Sequence, residues 1–342
     1  MKMLVTGSSG FLGKATVQAA LQAGHEVRAL VRPSVNISGI KTDYLDHIEI
    51  FRGDLRTKES AIEACKNVDV VLHLAAIKQG DFYDQMVGTV VATENLLNAM
   101  VETGIKRLVL TSTFSVYDTL RMRSWSLLDE SSPIETNPKD RDDYAQTKLL
   151  QENLVKDFSK SHDLALTILR PGMLYGRDNL FNARVGVEAG KHTWVRLGGI
   201  VLAPLNYVEN CAEAIVLAAE REEAIGKIFN VIDDDLPTQS RYARLLRKNI
   251  APGQRIIPIP WPVMRVLARS IWIFNHIFLK GKAKVPGILR PGALHARAKP
   301  FRYSNKFIKQ TLGWKPRYTL KEALDRSLSK TPIYPFIAQS VQ

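Results

Sequence analysis

The chain has 342 residues, 45% of them hydrophobic, and a formal net charge of +13 at pH 7. This length suffices for a sizeable core, arranged as one large domain or two unequal lobes. Two cysteines, Cys65 and Cys211, exclude a disulfide framework, and seven scattered histidines lack the spacing of a metal site. The lack of such spacing leads us to expect no metal. Because Met1-Lys2 leads directly into the first apolar run, without a signal peptide, we expect a soluble, cytoplasmic protein.

A glycine-rich turn follows the first predicted strand. The apolar run Met3–Val5 is typical of a buried parallel strand, the turn Thr6-Gly-Ser-Ser-Gly-Phe-Leu-Gly13 follows at once, and the next residues have a helical pattern. Backbone N–H groups in such a turn approach a pyrophosphate at the positive end of the helix, and the third glycine lets helix and strand pack closely. The sequence therefore predicts a dinucleotide site. An NTPase phosphate loop is excluded, because Ala15 stands where that motif needs Ser or Thr.

The second predicted strand begins near His25 and indicates the type of dinucleotide. NAD-specific folds place a carboxylate at the end of this strand, where it binds the ribose 2′-hydroxyl. Here Val31 occupies that position and Arg32 follows it. An arginine attracts the 2′-phosphate of NADP and can bind it bidentately. The pattern favours NADP as the cofactor and leaves NAD open.

Tyr144 and Lys148 form a candidate proton-transfer pair. They are four residues apart in a segment with a helical pattern, so their side chains lie on one face about one turn apart. An ammonium group favours the phenolate, which lowers a tyrosine pKa from about 10 towards the range of proton exchange near neutral pH. We predict that Tyr144 is the acid or base and that Lys148 tunes it. A chance pair on a solvated helix face is the alternative.

These motifs together resemble the extended branch of the short-chain dehydrogenase/reductase superfamily. That branch includes nucleotide-sugar epimerases and dehydratases, dihydroflavonol reductases and 3-beta-hydroxysteroid dehydrogenases. The further segments that resemble it are Gly53-Asp54-Leu55, His73-Leu74-Ala75-Ala76, Leu108 to Thr113, Arg170-Pro171-Gly172, Tyr175-Gly176 and Leu312-Gly313-Trp314-Lys315-Pro316. The resemblance covers almost the whole chain.

The resemblance implies roles for individual residues. Thr113 would orient the reacting oxygen, with Ser112 as the fallback, Tyr144 would exchange the proton, and Lys148 would also contact the nicotinamide ribose. The implied cofactor-binding residues are Gly7, Ser9, Gly10, Phe11, Leu12, Gly13, Arg32, Asp54, Leu55, Leu74, Ala75, Ala76, Thr111, Tyr144, Lys148, Pro171 and Gly172.

The chain departs from the family pattern at three places. Thr89 replaces an asparagine that usually supports the active-site backbone and solvent, which puts a proton relay through this position in doubt. Asp118 replaces a glycine and starts a polar stretch, up to Asp143, that we interpret as a long loop over the site that shapes substrate choice. Phe114 and Ser115 stand where dehydratases have an Asp-Glu pair, which argues against a dehydratase.

Alternating strand and helix patterns predict an α/β, Rossmann-like fold with a doubly wound parallel sheet and a smaller, discontinuous C-terminal substrate lobe. Strands are expected near Met3, Val27, Ile48, Val70, Leu108, Leu166 and Lys227 to Val231, with a helix near Asn206 to Ile215. The predicted nucleotide-binding domain is 1–172, with 205–232 returning to it. The predicted substrate lobe is 173–204 and 233–330, and 331–342 is a tail.

The predicted substrate lobe is strongly basic. No acidic residue lies between Asp235 and Glu322, and the stretch from Arg241 to Arg317 contains eighteen Lys and Arg, which leaves −5 for the rest of the chain. Such a field attracts a phosphorylated substrate, a nucleotide sugar or an acidic membrane surface. Nucleic acid is not expected as a partner, because the stretch contains no binding motif.

Within this basic stretch, Ile256 to Leu279 is rich in apolar and aromatic residues. It is too interrupted for a transmembrane helix, which needs roughly 18 to 20 apolar residues. A helix from Val263 to Leu279 would place Arg265 and Arg269 near one side. Its rings then line a pocket for a bulky apolar substrate, lie in a membrane interface, or pack against the sheet lobe or a second subunit of a homodimer.

Three functions follow from these observations. The first is an NADP(H)-dependent oxidoreductase that interconverts a secondary alcohol and a ketone on a bulky, partly apolar small molecule, such as a sterol-like compound or another lipid. The tail from Pro258 to Pro316, with its apolar helix and lysine-rich turn, resembles the 3-beta-hydroxysteroid dehydrogenase and dihydroflavonol reductase side of the branch. The second is a nucleotide-sugar epimerase with transient hydride transfer to bound NAD(P). The third is a cofactor-sensing binding protein, against which the complete set of candidate catalytic residues argues.

Overall fold

The computed structural model describes residues 1–40, 46–181, 187–188, 193–249, 255–280, 294–295, 298–329, 334 and 336–339. The strands are β1 (Lys2–Thr6), β2 (Glu26–Val31), β3 (Asn36–Ile40), β4 (Ile48–Arg52), β5 (Val70–His73), β6 (Arg107–Thr111), β7 (Leu127–Leu128), β8 (Ala165–Pro171), β9 (Met173–Tyr175), β10 (Val187–Glu188), β11 (Thr193–Gly198), β12 (Leu205–Tyr207), β13 (Ile228–Val231), β14 (Arg255–Pro260), β15 (Arg302–Tyr303) and β16 (Phe336–Gln339). The helices are α1 (Phe11–Gln22), α2 (Lys58–Cys65), α3 (Phe82–Gln85), α4 (Ala92–Thr103), α5 (Asp143–His162), α6 (Val208–Glu220), α7 (Gln239–Asn249), α8 (Trp261–Phe278), α9 (Lys306–Leu312) and α10 (Leu320–Leu328).

A parallel sheet of seven strands, in the order β13-β8-β6-β5-β1-β2-β4, forms the centre of the molecule. The predicted α/β, Rossmann-like fold with a doubly wound sheet is confirmed. The strand order reverses between β1 and β5, where Thr6 pairs with His73 in register. Ligands of open α/β sheets bind at such a reversal, beyond the carboxyl ends of the strands.

The apolar residues of β1 explain why it lies in the middle of the sheet. Met3 and Val5 face a core that contains α1 and α6, whereas Leu4 faces a second core that contains α2 and α4. All three residues are fully buried. A strand covered on both faces is apolar throughout, as the short run in the sequence indicates.

The chain returns to this sheet after β8. The helix α6 packs against α1, and β13 pairs with β8 as the edge strand. A separate three-stranded sheet, β10-β11-β14, packs against α8. Their small core includes Trp261, Met264, Ala268, Leu294 and Ala298. The lysine-rich turn expected after α8 lies outside the described residues.

The stretch between Asp118 and Asp143, which the sequence predicted as a loop, is partly paired with a segment near the C-terminal end of the chain. Its two-residue strand β7 pairs in parallel with β15, from the distant C-terminal segment. The ammonium group of Lys299 donates hydrogen bonds to the carbonyl oxygens of Thr119 and Leu120, both at 3.0 Å. The loop prediction missed this pairing, because two residues carry no periodic pattern and their partner lies far along the chain.

The structure also bears on how the chain meets a membrane. Among the helices in the described ranges, none is long and apolar enough to cross a bilayer. The longest apolar one, α8, spans Trp261–Phe278 and includes Arg265 and Arg269. The sequence prediction that this segment does not span a membrane agrees with this finding.

Candidate functional site

A cleft of about 1190 Å³ opens beyond the carboxyl ends of β1 and β5. Its walls contain every residue that the sequence predicted for catalysis or cofactor binding: Gly7, Ser9, Gly10, Phe11, Leu12, Gly13, Arg32, Asp54, Leu55, Leu74, Ala75, Ala76, Thr111, Thr113, Tyr144, Lys148, Pro171 and Gly172. The fold thus brings all of them together, and their individual roles stay predictions. A volume of this size exceeds that of typical small-molecule pockets, which leaves room for a substrate beside a dinucleotide.

The glycine-rich turn has the geometry of a phosphate cradle. Gly7 has a φ of +67°, and a Cβ added there would lie 3.0 Å from the backbone of Ala75. A Cβ on Gly13 would come within 2.0 Å of the Gly7 carbonyl oxygen, so only glycine lets α1 approach the turn this closely. Gly10 is the N-cap of α1, and the first turn of this helix contains no acidic residue. Its free N–H groups therefore suit a bound anion.

Two arginines lie at the end of the cleft where β2 terminates. Arg56 donates hydrogen bonds to Asp54 through Nε (3.1 and 2.9 Å) and Nη2 (2.6 Å), and these bonds hold the pKa of Asp54 below its usual value. In the described part of the chain, no carboxylate forms a salt bridge with Arg32. Arg32 is therefore available to an anionic group in the cleft, whereas Arg56 is already paired.

The candidate catalytic residues come from β6 and α5. Thr113 follows β6 and caps the short 3₁₀ turn Phe114–Val116, where its hydroxyl oxygen accepts a hydrogen bond from the N–H of Ser115 at 3.2 Å. Tyr144 lies in the first turn of α5, which Asp142 caps. Lys148 is buried one turn later, and its Nζ donates a hydrogen bond to the carbonyl oxygen of Thr111 at 2.8 Å.

The pKa of the Lys148 ammonium group lies far below the ordinary value of a lysine. Burial lowers the pKa of this ammonium group to about 7; the negative charge of Glu152 opposes the shift, and the positive charge of Lys78 adds to it. Lys78 also lies over the ring of Tyr144, with its Nζ 5.1 Å from the ring centroid. The sequence interpretation missed Lys78, although it follows the end of β5 at the strand reversal and could have been flagged on that ground.

The fallback residue Ser112 has a different position. Its hydroxyl donates a hydrogen bond to Glu152 Oε2 at 2.5 Å. Burial raises the pKa of Glu152, but hydrogen bonds and charges from Arg170 and Lys156 outweigh it and lower the pKa to about 2. The hydroxyl hydrogen of Ser112 is engaged by this carboxylate, whereas the hydroxyl of Thr113 has only a longer contact, 3.4 Å to Ser115 Oγ, so Thr113 is more available to a ligand in the cleft.

A buried polar network holds Lys148 from behind. The amide oxygen of Gln151 accepts a hydrogen bond from Lys148 Nζ, and its Nε2 donates to Thr93 Oγ1 at 2.8 Å. Thr93 also contacts His73 Nε2 at 2.8 Å, and the other ring nitrogen of His73 lies 2.7 Å from Thr6 Oγ1. The network therefore connects Lys148 to the residue that precedes the glycine-rich turn.

The partners in this network fix the direction of each hydrogen bond. Thr6 Oγ1 accepts from the N–H groups of Leu74 and Ala75, so its own hydrogen goes to His73 Nδ1. The hydroxyl of Thr93 donates to the carbonyl oxygen of Thr89, so His73 Nε2 donates to Thr93. Burial lowers the pKa of His73 to about 3, with Lys148 adding to the shift, which keeps this histidine neutral. Sequence reasoning missed the network, because its members lie far apart along the chain.

Thr89, which replaces the family asparagine, keeps part of the expected function of that residue. It is buried within a π-helical turn, Met86–Val91, that precedes α4. Its hydroxyl oxygen accepts a hydrogen bond from the N–H of Ile77 at 3.0 Å. Thr89 thus supports the backbone that forms the cleft wall beside Lys78.

The site fits a nicotinamide dinucleotide in three respects. The close backbone packing of the glycine turn brings the N-terminus of α1 to the cleft, Arg32 lines the cleft without a salt bridge to a described carboxylate, and the hydroxyl oxygen of Thr111 is buried in the cleft wall without a partner among the described residues. In the same part of the chain, no three His, Cys, Asp or Glu side chains form a group that could hold a metal ion.

Comparison with known proteins gives a consistent result. The sequence model of the NAD dependent epimerase/dehydratase family matches residues 3–231. The sterol-4-alpha-carboxylate 3-dehydrogenase, decarboxylating, of Homo sapiens is 25% identical over 341 residues, which cover 95% of this chain and 86% of that protein. The 4-hydroxy-2-methyl-3-oxo-4-farnesyl-3,4-dihydroquinoline-1-oxide ketoreductase of Stigmatella aurantiaca is 28% identical over 337 residues, which cover 95% of each chain.

Solved structures share the same fold. One of them is a short-chain dehydrogenase/reductase superfamily protein from Agrobacterium tumefaciens with bound NAD. It superposes with a TM-score of 0.70 over 96% of each chain, at 20% sequence identity. At this identity, the likeness extends to the architecture alone.

The contact between Gln151 and Lys148 leads to a prediction about pH dependence. We predict that activity needs the ammonium form of Lys148, so the kcat/KM for cofactor should fall as the pH rises through its pKa of about 7. Gln151→Met removes a hydrogen-bond acceptor of the ammonium group, so the pKa of Lys148 should decrease and the fall in kcat/KM should move to lower pH. We also expect kcat to drop about tenfold or more. Gln151→Glu adds a negative charge, so the same fall should move to higher pH. Steady-state kinetics across pH measures both shifts.

Gln146→Met is the matched control for these variants. Gln146 lies on the same helix but donates its hydrogen bond to the carbonyl oxygen of Arg141, away from Lys148. Its pH profile should match that of the unmodified enzyme. Shifts of the same sign in Gln151→Met and Gln151→Glu would contradict an electrostatic effect on Lys148.

Proposed function

Because the chain belongs to the NAD dependent epimerase/dehydratase family, we propose that it is an NADP(H)-dependent oxidoreductase that interconverts a secondary alcohol and a ketone on a bulky, partly apolar substrate. At the coarser level, it is an NAD(P)-dependent enzyme of the extended short-chain dehydrogenase/reductase type. The observation that carries the proposal is the convergence of Thr113, Tyr144 and Lys148 on the cleft that the glycine-rich turn borders.

The proposed reaction gives each of these side chains one role. A nicotinamide dinucleotide, when bound, supplies the hydride acceptor or donor. Tyr144 takes the proton from the alcohol oxygen in oxidation, or gives it to the carbonyl oxygen in reduction. Thr113 would donate a hydrogen bond to that oxygen, and Lys148 would contact the nicotinamide ribose. The glycine-rich turn and Arg32 would hold the phosphates of the dinucleotide.

The preference for NADP over NAD is supported by Arg32. Val31, the last residue of β2, is fully buried and places no carboxylate at the ribose. Arg32 lines the cleft without a salt bridge to a described carboxylate, and Arg56 lies nearby in its pair with Asp54. A free guanidinium group matches the geometry of a phosphate.

An apolar substrate is supported by the cleft wall next to Thr113. Phe114 is buried in a small apolar cluster with Phe301 and stacks on Tyr303 at a centroid distance of 6.0 Å. Met173 and Leu174 line the same cleft from the other side. The two relatives described above act, by their names, on a sterol carboxylate and a farnesylated quinoline. A sterol-like compound or another lipid is therefore the substrate class that we propose.

A nucleotide-sugar epimerase is the second candidate. Its support is the basic stretch from Arg241 to Arg317 together with Arg177, which lines the cleft near β9. An epimerase takes a hydride from the sugar and returns it within one turnover, so the amount of reduced cofactor does not change. An oxidoreductase consumes or produces reduced cofactor in proportion to product.

Turnover assays with a Tyr144→Phe variant test the proposed activity. The enzyme should oxidise NADPH in a one-to-one ratio with reduction of a 3-ketosteroid, and Tyr144→Phe should lower kcat roughly 100- to 10,000-fold while NADPH binding persists. Tyr83→Phe is the control, because Tyr83 is 77% exposed and lies outside the cleft. Interconversion of UDP-glucose and UDP-galactose without net NADPH change would favour the epimerase instead, and full activity of Tyr144→Phe would refute both mechanisms.

Replacement of Arg32 tests the cofactor preference. Arg32→Ala removes a charged hydrogen bond of about 2 kcal/mol, so the KM for NADPH should rise about thirtyfold while the KM for NADH changes little. The control is Lys58→Ala, which removes one positive charge from a neighbouring element outside the cleft. Equal effects of Arg32→Ala on NADPH and NADH, measured by initial rates, would show that Arg32 does not bind a 2′-phosphate.

A further inference from the structure

The helix α8 presents an unusual surface. Its buried side consists of Trp261, Met264, Ala268 and Asn275, which recur at helical spacing. The opposite side is exposed and apolar, with Val263, Val266, Leu267, Ile273, Phe274, Ile277 and Phe278. We call these seven residues the α8 apolar face. Ile277 and Phe278 are 65% and 69% exposed, so this face is open along its whole length.

A row of basic side chains runs along one edge of the α8 apolar face. Arg265, Arg269 and His276 are exposed and share one side of the helix by their spacing, and Lys280 follows its last turn. Within the described residues, neither arginine forms a salt bridge. The sequence contains no acidic residue from position 236 to 321, so this region of the chain offers no carboxylate to neutralise them.

From these observations we infer that α8 lies flat in the interface of an anionic lipid membrane. An apolar face inserts below the headgroups of a bilayer, while cations at its edge pair with anionic headgroups, which is the arrangement of an interfacial helix. A second copy of the chain fits this surface less well, because it would bring an edge of the same sign and no acidic partner from this region. Continuous apolar surfaces of this kind are rare on proteins without such a partner.

The helix α8 is connected through neighbouring residues to the wall of the cleft. Its buried side packs on Ala298, and the chain continues from there to Phe301 and Tyr303, which cover Phe114 beside Thr113. Binding of α8 to a membrane would therefore hold the cleft close to apolar substrates that are dissolved in the bilayer. This last consequence rests on the proposed apolar substrate, whereas the membrane contact itself does not.

Vesicle flotation with the full chain tests the inference. The protein should float with vesicles of phosphatidylcholine and phosphatidylglycerol but not with vesicles of phosphatidylcholine alone, and added salt should weaken the binding. The double variant Ile277→Glu/Phe278→Glu should lower the bound fraction about tenfold or more, because it places charges in the apolar layer. Ile200→Glu is the control, since Ile200 is 71% exposed on another element and its binding should be unchanged.

A second pair of substitutions keeps the apolar face intact. Arg265→Gln/Arg269→Gln should weaken binding to the anionic vesicles and reduce its dependence on salt. All variants should retain NADPH binding, which distinguishes loss of docking from loss of fold or failure of the proposed function. Absence of wild-type binding to anionic vesicles would overturn the inference. So would a wild-type dimer, seen by sedimentation equilibrium, that Ile277→Glu/Phe278→Glu converts to monomers while vesicle binding is unchanged.

Discussion

The buried ammonium group of Lys148 is the constraint around which the centre of the molecule is organised. Removing a charge from water costs several kcal/mol unless hydrogen bonds compensate it. Two of the three ammonium hydrogens are accepted by the carbonyl oxygen of Thr111 and the amide oxygen of Gln151. Since Gln151 donates to Thr93, which also accepts a hydrogen bond from the neutral ring of His73, the charge is held in place before any ligand arrives. One hydrogen remains for a group in the cleft, whose wall Lys148 forms.

A second buried charge pair fixes the strands next to this lysine. Glu152 on α5 binds Arg170 at the end of β8 and also accepts the hydroxyl hydrogen of Ser112 after β6. Arg170 in turn donates to the phenol oxygen of Tyr117, and that phenol donates to Asn230 on β13. Removing one partner of such a pair leaves an uncompensated charge in the core. The carboxyl ends of three strands are therefore held together by polar contacts below the floor of the cleft.

The strands of the sheet and the residues that line the cleft could be predicted from the sequence, because both depend on local patterns. Short apolar runs such as Met3–Val5 define strands that are buried on both faces, and a glycine turn between a strand and a helix has few other uses. The residues that tune the site were not predictable in this way. Lys78, Gln151 and the histidine at the end of β5 meet only after folding, and their spacing in the sequence carries no period. The exposure of α8 was also open at the sequence level, because apolar residues lie on both sides of this helix and its pattern does not tell which side faces the protein.

The pairing of β7 with β15 joins two segments whose aligned residues, Leu127 and Arg302, are 175 positions apart. Lys299 reinforces the junction by bonding the backbone of Thr119 and Leu120. These two segments thus form one structural unit, although they lie far apart in the sequence. A chimera that takes the first segment from a relative with another substrate, without the second, would combine strand halves that have not been matched to each other. Transfer of the first segment into another chain accordingly requires that the second segment be transferred with it.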